Sequence, residues 1–452
     1  AASSAAAVDA ETPKQRGRPR QLQEADVFLT SYQTFRGDCE RLIKEQVFSC
    51  MVLDEAQQIK NYSSGVSKAV KLMAEAVGTV RVALSGTPVE NTLTDLHSQF
   101  EFILPGYLAN NRTEFERQFG KPLAAAIRAG GGDARLQAAE NQRLLQRMVQ
   151  PFLLRRLKTD PAIAADLPPK VEQTHECELT QVQEKMYKAC QEVGLNGVVG
   201  AGGALQRHGM VLSMLHALRE VCNHPACLSD KRRDTAGIAE GEKPARTSAD
   251  ASGKCAKLLE LLEGIVGNGE KALIFSGYLG TIDLLAEQIE SNFNCKALKY
   301  VGAMDQGARE ATVDAFQNDP SAQVLLLSLQ AGGVGITLTA ATHVIHFDRC
   351  YNPAKENQAT DRAHRIGQNK TVFVHRLVTK GTFEERLGEI MAHKQQLSDI
   401  TVQATEGWIA DLDDAELREL FSLGGGGGSA GSSGSGGRPP KRRRTSSQMG
   451  MA

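Results

Sequence analysis

Four polar residues in the C-terminal third of the chain are spaced for joint chemistry. Gln358, Asp361, Arg362 and Arg365 stand at i, i+3, i+4 and i+7, so on a helix they share one face. Ala359, Ala363 and Ile366 form a second, apolar stripe that can pack down. Two guanidinium groups and an amide on an outward face suit a polyanion, because each guanidinium binds two phosphate oxygens at once. The alternative is a solvated helix with an Asp361–Arg365 pair worth about 0.3 kcal/mol. Far upstream, the apolar run Phe48-Ser-Cys-Met-Val-Leu53 ends abruptly in Asp54-Glu55-Ala-Gln57. One carboxylate there can hold Mg²⁺ while the other orients or deprotonates a water. Acids that merely punctuate a strand end would read the same way. A third candidate is the glycine-rich turn with Gly332, Gly333 and Gly335, which lets backbone approach a phosphate or a nucleic-acid strand.

These residues need a scaffold, and composition bounds it. A chain of 452 residues suggests about two to four domains. Net charge is −1, so nucleic-acid contacts must come from local patches. The 9 cysteines are scattered, without repeated CxxC pairs, which argues for a reducing compartment and against a disulfide framework. No apolar run approaches the ~18 residues that span a bilayer. The Ala/Ser-rich start has no long apolar segment of the secretory kind.

The pattern of elements is that of an α/β protein. Residues 27–31 read as a short strand and 41–45 as helical. Residues 48–53 read as a strand buried on both faces of a parallel sheet. A helix over 65–76 leads to a strand over 79–84, which ends in Ser85-Gly86-Thr87-Pro88 with Asn91 and Asp95 following. Polar residues thus sit twice at a strand's carboxyl end, where ligands bind in open α/β sheets. From 106 to 250 the pattern turns helical and loses its strands, with a flexible connection over 229–252. Cys222, His224 and Cys227 lack a second ligand pair at zinc-like spacing. From 251 strands and helices alternate again. Strands are expected at 271–275 (ending at Ser276), 297–301, 324–328, 342–348 and 373–378, which predicts a doubly wound sheet. A helix over 384–393 and a short acidic amphipathic helix over 411–423 close the folded part.

The ends differ in character. Residues 1–25 form a basic tail whose Arg16-Gly-Arg18-Pro resembles an AT-hook, a segment that lies in an A/T-rich minor groove. A merely flexible basic tail is the alternative. Residues 424–452 are a Gly/Ser linker followed by Pro440-Lys-Arg-Arg-Arg444, which reads as a nuclear-import signal or a non-specific basic tail.

Taken in order, these segments resemble the superfamily-two helicase-like ATPases, and within them the SWI/SNF-type chromatin-remodelling branch. Asp54-Glu-Ala-Gln57 and Leu84-Ser-Gly-Thr-Pro88 with Asn91 are similar to its motifs II and III. Residues 331–340 are similar to motif V, and Gln358–Gln368 to motif VI. Gln57 stands where the branch usually has His, a spelling nearer its bacterial and archaeal-like members. Tyr351-Asn-Pro353 stands where it usually has Trp-Asn-Pro. The resemblance implies two RecA-like parallel-sheet lobes, residues 26–105 being the end of the first and 251–405 the second, with a helical insertion between them. It implies ATP and Mg²⁺ as ligands and duplex DNA, with nucleosomes, as partner in the nucleus. Asp54 would coordinate Mg²⁺, Glu55 would polarise the attacking water, and Arg362 and Arg365 would act as arginine fingers. Gln57, Gly335, Gln358 and Asp361 would line the ATP site. Ser85, Gly86, Thr87, Ser276, Gly332 and Gly333 would couple ATP state to grip on DNA, and the separate AT-hook-like segment would add minor-groove contacts through Arg16 and Arg18.

One part of the pattern is missing. A phosphate cradle needs Gly-x-x-x-x-Gly-Lys-Ser/Thr. Gly253-Lys-Cys255 has neither the hydroxyl nor the upstream glycine. The expectation is a truncated first lobe with little ATP turnover of its own. Two function classes follow: an ATP-dependent DNA translocase represented by its C-terminal part, or a non-catalytic nucleic-acid- or chromatin-binding protein that keeps the ATPase shell. An RNA helicase is a weaker third reading.

Overall fold

The structure is a computed structural model. It describes residues 27–45, 48–76, 80–86, 93–122, 132–154, 156, 158, 167–242, 244–293, 295–331, 335–350, 352–389, 409 and 412–424. The chain divides into two compact units, residues 1–157 with 397–405, and residues 158–396 with 406–452. The division falls inside the stretch 106–250 that was expected to be one helical insertion.

In the first unit, strands β1 (Cys50–Leu53) and β2 (Val80–Ala83) pair in parallel, with Leu53 opposite Ala83. Helices Tyr32–Glu45, Gly65–Ala76 and Leu93–Ile103 flank them. Phe35, Leu53, Ile59, Val70, Met73 and Phe102 close one apolar cluster. Leu96, Phe100, Phe115, Phe119, Leu145 and Val149 close another. Two expectations change here. Residues 27–30 are irregular, and the helix begins at Tyr32, where Ser31 Oγ accepts from the Thr34 amide at 3.2 Å. β1 is not buried on both faces: Leu53 is 4% exposed but Val52 is 55% exposed, because the sheet contains two strands among the described residues.

The second unit holds a six-stranded, all-parallel sheet. Its strands are β3 (Lys170–Cys177), β4 (Ala272–Ser276), β5 (Ala297–Tyr300), β6 (Val324–Ser328), β7 (His343–His346) and β8 (Val372–Thr379), in the order β3-β8-β7-β4-β6-β5. Every residue of β4 and β6 is buried, as expected for strands covered on both faces. Side chains alternate with the pleat. Leu273 and Phe275 join Phe316, Leu325, Leu327, Ala359 and Ala363 on one face. Ala272 and Ile274 join helices Gly253–Gly267 and Leu279–Asn292 on the other.

β3 corrects the strandless reading of 106–250. Its residues are mostly exposed, so its sequence carries no apolar run. The stretch 229–252 is likewise packed, not loose. Ile238 is buried, Lys185 pairs with Glu242, and Arg246 pairs with Glu287 through Nε at 2.9 Å. Helices Gln181–Val199 and Ala204–Asn223 form a third core with residues 383–389 and the C-terminal helix Asp414–Phe421. Tyr187 ties it together, donating to the Phe421 carbonyl at 3.1 Å and accepting from the Phe383 amide at 3.3 Å.

Two features have measurable consequences. Glu55 has φ 51° and ψ 52°, the one non-glycine residue with positive φ among those described. That conformation costs an L-residue about 1–2 kcal/mol. Glu55→Gly should therefore be more stable than Glu55→Ala by about 1 kcal/mol in urea unfolding. Equal stabilities would remove the strain. Histidines form the second feature. His175, His375 and His343 lie on adjacent strands, in contact through ring nitrogens at 3.0 and 3.1 Å, and the row ends on Glu270 at 3.0 Å. Burial lowers the pKa of His375 to about 4, helped by His343, His175 and Lys257. Burial lowers His346 to about 4 as well. Between these values and 6.5 the unfolded chain binds more protons than the folded one. Stability is thus full above pH 6.5 and falls as pH drops towards 4, by at most about 3 kcal/mol per residue. The urea midpoint should fall across that window, and less steeply in His346→Phe. An unchanged slope in the variant would contradict the assignment.

Candidate functional site

In the first unit the parallel pair positions the acids. Leu84 N donates to Leu53 O and Ala56 N donates to Leu84 O, both at 2.8 Å. The turn after β1 is thereby stitched to the turn after β2. Asp54 is exposed and its Oδ1 accepts from the Glu55 amide at 2.9 Å. Tyr32 Oη donates to the Asp54 carbonyl at 2.7 Å. Burial, then the charges of Asp54 and Glu55, push the Tyr32 hydroxyl up to about 12. Gln57 Nε2 donates to Glu55 Oε2 at 2.5 Å, and Ser85 Oγ donates to Gln57 Oε1 at 2.9 Å. Glu55, Gln57 and Ser85 thus form one hydrogen-bonded file across two strand ends. Gly86 is exposed beside it, with open space where a Cβ would stand. Thr87 and Asn91 lie outside the described residues. Asp54 suits Mg²⁺, an ion that keeps several waters and takes one or two carboxylates together with substrate phosphates.

In the second unit β4 and β7 are neighbours, but the chain leaves β4 for β5 on one side and β7 for β8 on the other. Their carboxyl ends flank a topological switch point, the usual ligand crevice of such a sheet. It is occupied by Asp348, 2% exposed, whose carboxylate accepts from Ser276 Oγ, from Gly277 N at 2.9 Å and from Asn223 Nδ2 at 3.1 Å. Burial pushes the Asp348 carboxyl up from its usual range. Ser276 is fully buried and committed to Asp348, so the expectation that it contacts DNA gives way to a supporting role. Asn223 also accepts from Lys254 Nζ at 3.4 Å, and Lys254 pairs with Glu384 at 2.7 Å, their side chains 0% and 1% exposed. His224 uses both ring nitrogens structurally. Nδ1 accepts from Ala226 N and Nε2 contacts Ser248 O, both at 3.0 Å.

The segment 358–368 is not one helix. Asn352 caps the helix Pro353–Thr360, accepting from Ala354 N at 3.0 Å and Lys355 N at 3.4 Å, and Pro353 supplies the pre-set φ of a first helical position. The helix stops at Thr360, and Asp361 has ψ −4°. Tertiary bonds draw the backbone away. Leu338 N donates to Arg362 O at 2.9 Å, and Gln368 Nε2 donates to Thr339 O and Ala341 O at 2.9 Å. Gly367 takes φ 101°, open to glycine alone. Consequently Gln358, Asp361, Arg362 and Arg365 do not share a face. Gln358 is half-buried, Arg362 is 6% exposed, and Arg365 is exposed. Ala359 and Ala363 are buried as expected, but Ile366 is 85% exposed. The anticipated Asp361–Arg365 pair is replaced by Asp361 with Lys158 Nζ at 2.8 Å. Gly335 is exposed with nothing near its missing Cβ. Gly332, Gly333, Arg16 and Arg18 lie outside the described residues.

Sequence reading missed Tyr32, Asn223, Asp348 and Lys158. Tyr32 and Asn223 carry no local signal. Lys158 ends Pro151-Phe-Leu-Leu-Arg-Arg-Leu-Lys158, which is similar to the family's link between lobes but gives no local sign of its partner.

Comparison with known proteins gives the same architecture. The SNF2-related domain matches residues 5–227, and the helicase conserved C-terminal domain matches residues 253–367. YwqA of Bacillus subtilis, a candidate ATP-dependent helicase/translocase, is 37% identical over 403 residues, covering 89% of this chain and 40% of that protein. The TATA-binding protein-associated factor MOT1 of Saccharomyces cerevisiae is 33% identical over 436 residues, covering 89% of this chain and 23% of that protein. This chain thus spans less than half the length of either relative. The SWI2/SNF2 ATPase core domain of Sulfolobus solfataricus superposes with a TM-score of 0.50 at 35% identity, covering 85% of this chain and 73% of that structure. Family matches over both units and the shared α/β core lead to one conclusion: the chain belongs to the SWI2/SNF2 family of helicase-like ATPases.

Proposed function

We propose that the chain is the motor part of an ATP-dependent DNA translocase that couples ATP hydrolysis to movement on duplex DNA. The observation that carries this reading is the hydrogen-bonded file Glu55–Gln57–Ser85, which links the acid turn to the next strand's end. Such a file lets the state of a nucleotide at Asp54 and Glu55 be felt at Ser85. In this reading Asp54 holds Mg²⁺, which when bound offsets phosphate charge. Glu55, held in a left-handed turn, orients the attacking water and takes its proton. Gln57, Gly335, Gln358 and Asp361 belong to the nucleotide site, with Gln57 and Asp361 acting through their partners Ser85 and Lys158. Arg365, exposed on a fastened loop, supplies charge stabilisation to the transferring phosphoryl group, worth ~10³–10⁵ in rate for an arginine finger. Arg362, 6% exposed, is the second cation of that loop.

Movement follows if closure around the nucleotide alters grip on one DNA strand. Ser85, Gly86, Thr87, Gly332 and Gly333 form that grip, and Arg16 and Arg18 add minor-groove contacts. Nucleosomal DNA in the nucleus fits the basic run Lys441–Arg444 and the similarity to MOT1, a TATA-binding protein-associated factor.

Phosphate release with duplex DNA tests the proposal, measured on this chain and on the same chain preceded by a relative's Gly-Lys-Thr half-lobe. The sequence contains no Gly-x-x-x-x-Gly-Lys-Ser/Thr, so turnover by the chain alone should stay at background and Arg365→Ala should leave it unchanged. The extended form should show DNA-stimulated turnover, lost in Glu55→Gln and reduced about 10³-fold or more in Arg365→Ala. Robust turnover by the chain alone would mean an unrecognised phosphate cradle. Extended-form turnover that survives both substitutions would overturn the residue roles.

A further inference from the structure

The loop that carries Arg365 is held from outside its own helix. Lys158 is the first residue of the second unit, directly following the last residue of the first. Its ammonium pairs with Asp361 Oδ1 at 2.8 Å and donates to the His364 carbonyl at 2.9 Å. Ten residues later the same stretch touches the loop again, where His364 Nε2 donates to the Pro168 carbonyl at 2.8 Å. His364 is 8% exposed, so its ring is set by burial as well as by that bond. Three polar contacts from residues 158 and 168 therefore fall on 361–364, immediately before Arg365. The loop needs such support. Its helix has ended at Thr360, and its internal amide bonds are short-range, Arg362 N to Ala359 O and Arg365 N to Ala363 O, both at 3.1 Å. Arg365 is exposed and has no ion-pair partner among the described residues, so the backbone that carries it sets the point from which its guanidinium reaches.

We propose that Lys158 is a positioning residue for Arg365, and that Lys158 and Pro168 together strap the arginine loop. The inference rests on the reading of Arg365 as the group that meets phosphate. Its physical content is a coupling. An ammonium shared between a carboxylate and a carbonyl holds two points of the loop at once. Displacing Lys158 releases both, while the Ala359 and Ala363 side chains keep their seat against the sheet. Any shift of Lys158 or Pro168 is therefore passed to the Arg365 loop without unfolding the sheet. Asp361 accordingly acts as the anchor of the strap.

Amide hydrogen exchange on the full chain, without nucleotide or DNA, tests the strap. Lys158→Glu should speed exchange across 361–368 by about fivefold while leaving the β4 amides of 272–276 unchanged. Lys158→Arg should keep the slow exchange. If Lys158→Glu also loosens β4, Lys158→Met gives the same reading without setting a like charge beside Asp361. Unaltered exchange at 361–368 in both Lys158→Glu and Lys158→Met would overturn the strap. That failure would leave the ATPase reading untouched, since no nucleotide enters the measurement. Loss of turnover control in the phosphate assay would leave the strap standing in turn.

Discussion

Parallel strand pairing is the constraint on which the candidate site depends. A parallel ladder delivers every strand's carboxyl end to the same edge. In the first unit Leu53 and Ala83 are in register, so the turns that follow them meet. Ala56 and Leu84 exchange that closeness for a backbone hydrogen bond, and Glu55, Gln57 and Ser85 are left within reach of one another. In the second unit the same edge gathers Ser276 and Asp348 from adjacent strands. Sequence distance is irrelevant to these meetings. Register decides them.

Polar groups buried near that edge are paired, and the pairing links elements that the sheet alone would not hold. Glu356, 3% exposed, accepts from Arg349 Nε and from Cys350 N, and reaches Arg376 Nε at 3.3 Å. Lys254, Glu384, Asn223 and Asp348 form a second set that runs from the helix Ala204–Asn223 to the ends of β4 and β7. Removing one member of such a set strands a buried charge, typically at a cost of about 3–5 kcal/mol. The helical part of the second unit is therefore built into its sheet, which suits an element that must move with it.

Much of this was legible in the residues because burial leaves a mark. Val324–Leu327 and Ala272–Phe275 are unbroken apolar runs, and both lie in strands buried on two faces. The helix Asp414–Phe421 announces itself through Asp413 and Glu416, which form a capping box, and through Leu417, Leu420 and Phe421. Strand β3 was not legible, because Lys-Val-Glu-Gln-Thr-His-Glu-Cys at an exposed sheet edge has no apolar run to show. The end of the helix at Thr360 was hidden for a different reason. Helical spacing continues to Arg365 in sequence, but Leu338, Thr339 and Ala341 claim the backbone and the Gln368 amide from another part of the chain. The partner of Asp361 lies about two hundred residues away, beyond any local pattern.

Duplex DNA binding measured against salt tests the central claim most directly, that this edge serves a motor on DNA. The account predicts that the chain binds a labelled duplex in fluorescence anisotropy and that log K falls linearly with log salt, with a slope of roughly −3 or steeper for several phosphate contacts. Absence of binding at low salt, or affinity indifferent to salt, would contradict it.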